Sequence, residues 1–89
     1  MLKITKVQDS GTDVLLRLEG KITEQWASLL DGECRSFLRQ RKLVCLDCAL
    51  VDFIDQRGVE VVRSFPRPGV TLMNPSGVVL ELLQMGGRS

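Results

Sequence analysis

The chain has 89 residues, enough for one domain and too few for two, and a domain of this size carries a modest core and a thin stability margin. Twelve basic and eleven acidic side chains leave a formal net charge of +1, so no broad field favours nucleic acid or an anionic membrane surface. No apolar window approaches the length of a transmembrane span, which excludes membrane insertion through a helix.

The first segment, Leu2 to Val7, alternates apolar and polar residues and reads as a short or edge strand. Leu2 and Ile4 share a face, and Val7 breaks the pattern. The stretch QDSGTD is a turn, in which Gly11 is free to take positive φ. Val14 to Leu18 is a second strand, and the two are expected to form a hairpin. Gly20 to Ile22 leads out of it. Thr23 then suits the N-cap of a helix from Glu24 to Gln40, with the Glu24 charge in its first turn and Ile22 positioned as a staple against Ala27.

Along that helix Trp26, Ala27, Leu29, Leu30, Cys34, Phe37 and Leu38 recur at the 3.6-residue period and make one apolar stripe. Trp26 is read as core because it lies in that stripe. Asp31 and Arg35 are one turn apart and can pair, whereas Gly32 costs about 1 kcal/mol relative to alanine. The basic run from Arg35 to Lys42 suits the negative end of the helix dipole.

Leu43 to Leu46 reads as a central strand covered on both faces and ended by Asp47. Asp55 is an N-cap for a second, short helix, in which Gly58 permits close approach of a neighbour and Val59, Val62 and Phe65 face inward. Pro66 and Pro68 stop it. Val70 to Met73 is a fourth strand. Asn74 is read as the next cap, with Pro75 at the first helical position, Val78, Val79, Leu82 and Leu83 as the apolar face, and Gly86 and Gly87 as the stop. The fold class is therefore α/β: one domain, residues 1–89, with a mixed sheet of about four strands and three helices.

Three cysteines, Cys34, Cys45 and Cys48, do not close a disulfide framework. The Cys45–Cys48 spacing lies in a strand-like run rather than at a helix start, where a thiolate would be stabilised. The cysteines are read as packing residues, and the lack of a secretory leader leads to the expectation of a reduced, cytoplasmic setting.

Catalytic signals are sparse. The absence of histidine excludes Ser–His and Cys–His nucleophile systems within one chain and removes the commonest zinc ligand. No GxxxxGK[ST] or GxGxxG pattern cradles a phosphate. Asp47, Asp52 and Asp55 are the one acidic set that suits Mg²⁺ or a phosphate-handling pocket, but the favoured account of them is two strand-end or turn carboxylates and a helix cap. No cofactor is expected.

The segment LDCALVDFIDQRGVEVV, Leu46 to Val62, resembles the signature of the STAS family, the anti-sigma factor antagonists and their relatives. In that family a strand runs into an aspartate, and an apolar pair precedes Asp-Ser-Ser/Thr-Gly at the head of a helix. Asp47, the pair Phe53–Ile54, Asp55 and Gly58 match those positions. RLEGKIT and GVTLMNPSGVVLELL are similar to the family's second strand and helix start, and to its last strand and helix.

The resemblance implies a STAS-like mixed sheet and a non-enzymatic module that binds another protein. Its expected contact residues are Asp52, Phe53, Asp55, Gln56, Arg57, Gly58 and Glu60. The family's phospho-acceptor hydroxyl lies directly before the glycine. Here that position is Arg57, preceded by Gln56, and arginine has no hydroxyl to phosphorylate.

The partners implied are an anti-sigma factor or kinase-like protein or, in an alternative reading, the ATPase subunit of a lipid-transport complex. Handling of Mg²⁺ or phosphate through Asp47, Asp52 and Asp55 is a third reading. Self-association through the first strand stays open.

Overall fold

The computed structural model describes residues 1–86; the expectation that Gly87 helps to stop the last helix lies outside them. The elements are β1 (Leu2–Asp9), β2 (Asp13–Ile22), α1 (Glu24–Arg39), β3 (Leu43–Ile54), α2 (Gln56–Ser64), β4 (Val70–Met73) and α3 (Gly77–Gly86). The sheet order is β1-β2-β3-β4. The β1–β2 pair is an antiparallel hairpin, and β2–β3 and β3–β4 are parallel, so the sheet is mixed and each parallel step is bridged by a helix. The α/β class, four strands and three helices agree with the sequence.

The core lies on one face of the sheet. Val14, Leu16 and Leu18 of β2 and Val44, Leu46 and Cys48 of β3 are buried there, against Ala27, Leu30 and Cys34 of α1, Val59 and Val61 of α2 and Val79 of α3. The expectation that β3 is covered on both faces is corrected: Leu43 is half exposed and Cys45 only partly buried. A sheet with helices on one side leaves the other to water.

Nor does Asp47 end β3. The strand continues to Ile54 through two places where β3 carries one more residue than β2. Arg17 pairs with Asp47 but Glu19 with Leu50, and Gly20 pairs with Val51 but Lys21 with Phe53. Each β-bulge turns the strand by one residue, so the inward positions run 44, 46, 48, 51, 54. A one-residue bulge at Val7 explains why that residue broke the alternation of β1 and stands exposed.

Several local expectations change. Gly11 does not take the left-handed conformation; Gly20 does, with its Cα against the Met1 carbonyl. The turn at Gly11 is held instead by Ser10, whose Oγ accepts from the amides of Thr12 and Asp13 at 3.3 and 3.0 Å. The α3 helix begins after Pro75. Its cap is Ser76, whose Oγ accepts from Val79 N at 3.2 Å, whereas Asn74 ends β4 with a φ of 53° and bonds sideways to Asp47. Leu29 and Val78 are exposed rather than inward. Val61 is buried as well as Val59 and Phe65, because α2 packs between α1 and α3 and must bury a wide arc.

Two arginines pin α1 to α2. Arg35, paired with Asp31 at 3.2 Å as the spacing predicts, also donates to Ser64 O and Oγ at 3.3 and 3.1 Å and lies over the Phe65 ring. Arg57 reaches the other way, from the head of α2 to Ser28 of α1.

Candidate functional site

The residues singled out in the sequence gather at the end of β3 and the head of α2. The second bulge turns Asp52 and Phe53 outward, and both are exposed. Asp52 accepts from Lys21 Nζ at 3.1 Å, and the same ammonium lies 5.9 Å from the centre of the Phe53 ring. Lys21 and Phe53 are register partners across the parallel β2–β3 ladder.

Asp55 is the hinge of the site. It is the N-cap of α2, with Oδ1 accepting from Gly58 N at 2.7 Å. Its Oδ2 accepts from Glu24 N, the first residue of α1, at 3.1 Å. Its own amide donates to Ile22 O at 3.2 Å. Thr23, the N-cap residue of α1, makes no side-chain cap bond, so the role expected of it passes to Asp55, 32 positions away in sequence.

Gln56, Arg57 and Glu60 are exposed on the first turns of α2. Arg57 Nη2 donates to Ser28 Oγ at 3.3 Å, and its Nη1 is 4.0 Å from Glu60 Oε1. Gly58 is buried beneath Ile22. A β-carbon at Gly58 would collide with the Ile22 carbonyl oxygen and come within 2.6 Å of Ile54 Cγ1, so the close approach expected of this glycine is present.

Asp47, Asp52 and Asp55 are not brought together as one ligand set. Asp47 Oδ1 accepts from Ala49 N and Asn74 Nδ2 at 3.1 and 3.4 Å, Asp52 faces Lys21, and Asp55 is committed to two backbone amides. Among the described residues no group of three or more Asp, Glu, Cys or His side chains is placed to hold a metal ion. Among the same residues every buried side-chain nitrogen and oxygen has a hydrogen-bond partner.

The cysteines are free, and burial pushes the Cys34 and Cys48 thiols up to about 12; that of Cys45 is raised less, again chiefly by burial. These are protonated thiols, without the thiolate character that a reactive cysteine needs.

Lys21, Glu24 and Ser28 also belong to the site, and sequence reasoning missed them as such. They sit 30 or so positions away from the motif. Only the parallel pairing of β2 with β3, and the packing of α1 on α2 that follows from it, brings them alongside.

No family model matches the chain, and no curated protein matches it. Among solved structures, one of the anti-sigma factor antagonist SpoIIAA in its unphosphorylated form superposes with a TM-score of 0.74 at 20% identity, over 98% of this chain and 81% of that one. The chain has a STAS-like fold, as the sequence resemblance implied.

Proposed function

We propose that the protein is a non-enzymatic interaction module that binds another protein in the manner of an anti-sigma factor antagonist, without the usual serine phosphorylation switch. What supports this reading is Arg57, an exposed guanidinium at the head of α2 next to Gly58, at the position that the sequence resemblance aligns with the family's hydroxyl. Arginine presents a permanent, planar, bidentate donor, suited to a carboxylate or phosphate on a partner. Around it the exposed Asp52, Phe53, Gln56 and Glu60 supply an aromatic anchor and a mixed-charge rim, while Asp55 and Gly58 set the backbone. The partner is a protein, and its affinity is set by association rather than by addition of a phosphate to α2.

Affinity capture with wild type and Arg57→Glu, side by side from cytosol and from detergent extract, tests this. One protein held by wild type and lost from the variant supports the module and its contact. Equal recovery by both baits refutes the role of Arg57. A transporter ATPase subunit retained from the detergent extract alone would move the assignment to a transport complex. Stoichiometric phosphate incorporation on α2 that releases a bound partner would overturn the loss of the switch.

A further inference from the structure

We propose that the Asp55 carboxylate couples the starts of α1 and α2, so that the two helix N-termini loosen and tighten as one unit. The coupling belongs to the mechanics of this tip and does not depend on what docks there.

Each helix begins with backbone amides that no intrahelical carbonyl can satisfy, and each ordinarily finds an acceptor in its own N-cap side chain. Here one side chain serves two helices. Oδ1 takes Gly58 N of α2 at 2.7 Å, and Oδ2 takes Glu24 N of α1 at 3.1 Å. Thr23 offers no side-chain bond in its place. Glu24 has a φ of 44°, a left-handed conformation that residues with a β-carbon rarely adopt, and the bond to Asp55 holds its amide there.

A carboxylate has two oxygens and only accepts, so both of these capping bonds are charge-assisted and both helix dipoles converge on the same negative group. Rotation of the side chain that frees Gly58 also moves Oδ2 away from Glu24. The backbone gives no slack: Asp55 N is held by Ile22 O, and Gly58 packs against that same carbonyl. Arg57 to Ser28 is a second tie across the same pair of helices.

Amide hydrogen exchange followed by NMR on the full chain tests the coupling in wild type, Asp55→Asn, Asp55→Ala and Thr23→Ala. Asparagine retains one carbonyl oxygen and can serve only one helix. The expected result for Asp55→Asn is a loss of protection of about ten-fold at the α1 amides of Glu24, Trp26 and Ala27 and also at the α2 amides of Gly58 and Val59, with Leu16 and Leu46 unchanged. Asp55→Ala should loosen both sets further, and Thr23→Ala should loosen neither. Loosening of one helix start alone in Asp55→Asn overturns the proposal, as does an equal loss at Leu16 and Leu46, which would mark general destabilisation. If Asp55→Ala does not fold, Asp55→Asn decides the matter alone.

Discussion

The Ile22 carbonyl at the end of β2 presses on the Cα of Gly58 in the first turn of α2, leaving no space for a β-carbon. The contact sets how closely α2 descends onto the sheet. Gly58→Ala would gain helix propensity of up to about 1 kcal/mol. Against this, overpacking costs about 1–3 kcal/mol, and the obstacle is backbone fixed by the Asp55 amide rather than a flexible side chain. The expected outcome is a net loss of about 1–2 kcal/mol, read as a lower urea midpoint with an unchanged slope.

Gly32 and Arg41 present the opposite case, and the pair can be improved by exchange of residue types. A β-carbon at Gly32 meets nothing within 4 Å, whereas Arg41, just past the end of α1, has a φ of 62° where glycine is the favoured residue. Gly32→Ala and Arg41→Gly should each stabilise by about 0.5–1 kcal/mol. Thermal unfolding of the double variant should show near-additive increases of roughly 4–8 °C per kcal/mol for a domain of this size.

These two sites also mark what the sequence makes legible. Gly32 stands out because α1 is strongly periodic, and the order of all seven elements follows from periodicity together with the Gly, Pro and Asn punctuation between them. The length of β3 does not follow, because two bulges replace the two-residue alternation with three-residue steps after Cys48. The same bulges aim Asp52 and Phe53 outward, so the strand read as ending at Asp47 is the one that presents these two residues of the candidate site.

Asp55 as a cap and Gly58 as a close approach are local features, visible from sequence spacing. The partners of Asp55 in α1 and of Arg57 at Ser28 are set by tertiary pairing and leave no mark on the local pattern.

Asp9 gives an acid-side prediction. Hydrogen bonds from Lys42 Nζ at 2.6 Å and Lys6 Nζ at 3.2 Å hold its carboxyl below the ordinary value. A group whose folded pKa is depressed contributes stability that is present above its unfolded pKa and lost as pH falls through the folded one. Asp9→Asn should therefore be less stable than wild type near neutrality. The gap should narrow as pH drops below about 4 and close once both states are protonated. Denaturant midpoints for the two proteins from pH 7 to pH 2 check this; a gap that stays constant with pH would assign the effect to packing. Lys42→Met should remove most of the same pH dependence.

The cysteines give the alkaline side. Cys34 and Cys48 are buried and pushed up to about 12, because desolvation penalises the thiolate. Unfolding exposes both thiols at their ordinary acidity, so above roughly pH 8.5 the unfolded chain releases protons that the folded chain retains. Stability therefore falls as pH rises from that point toward 12. Cys34→Ala/Cys48→Ala should be less stable than wild type near neutrality, since each change leaves a small cavity, yet should lose less stability between pH 8 and pH 10. At neutral pH a thiol reagent should modify Cys45, which is only partly buried, well before the other two. Mass mapping of the labelled peptides over time gives the order, and early labelling of Cys34 or Cys48 would show that the helical layer opens far more readily than its packing implies.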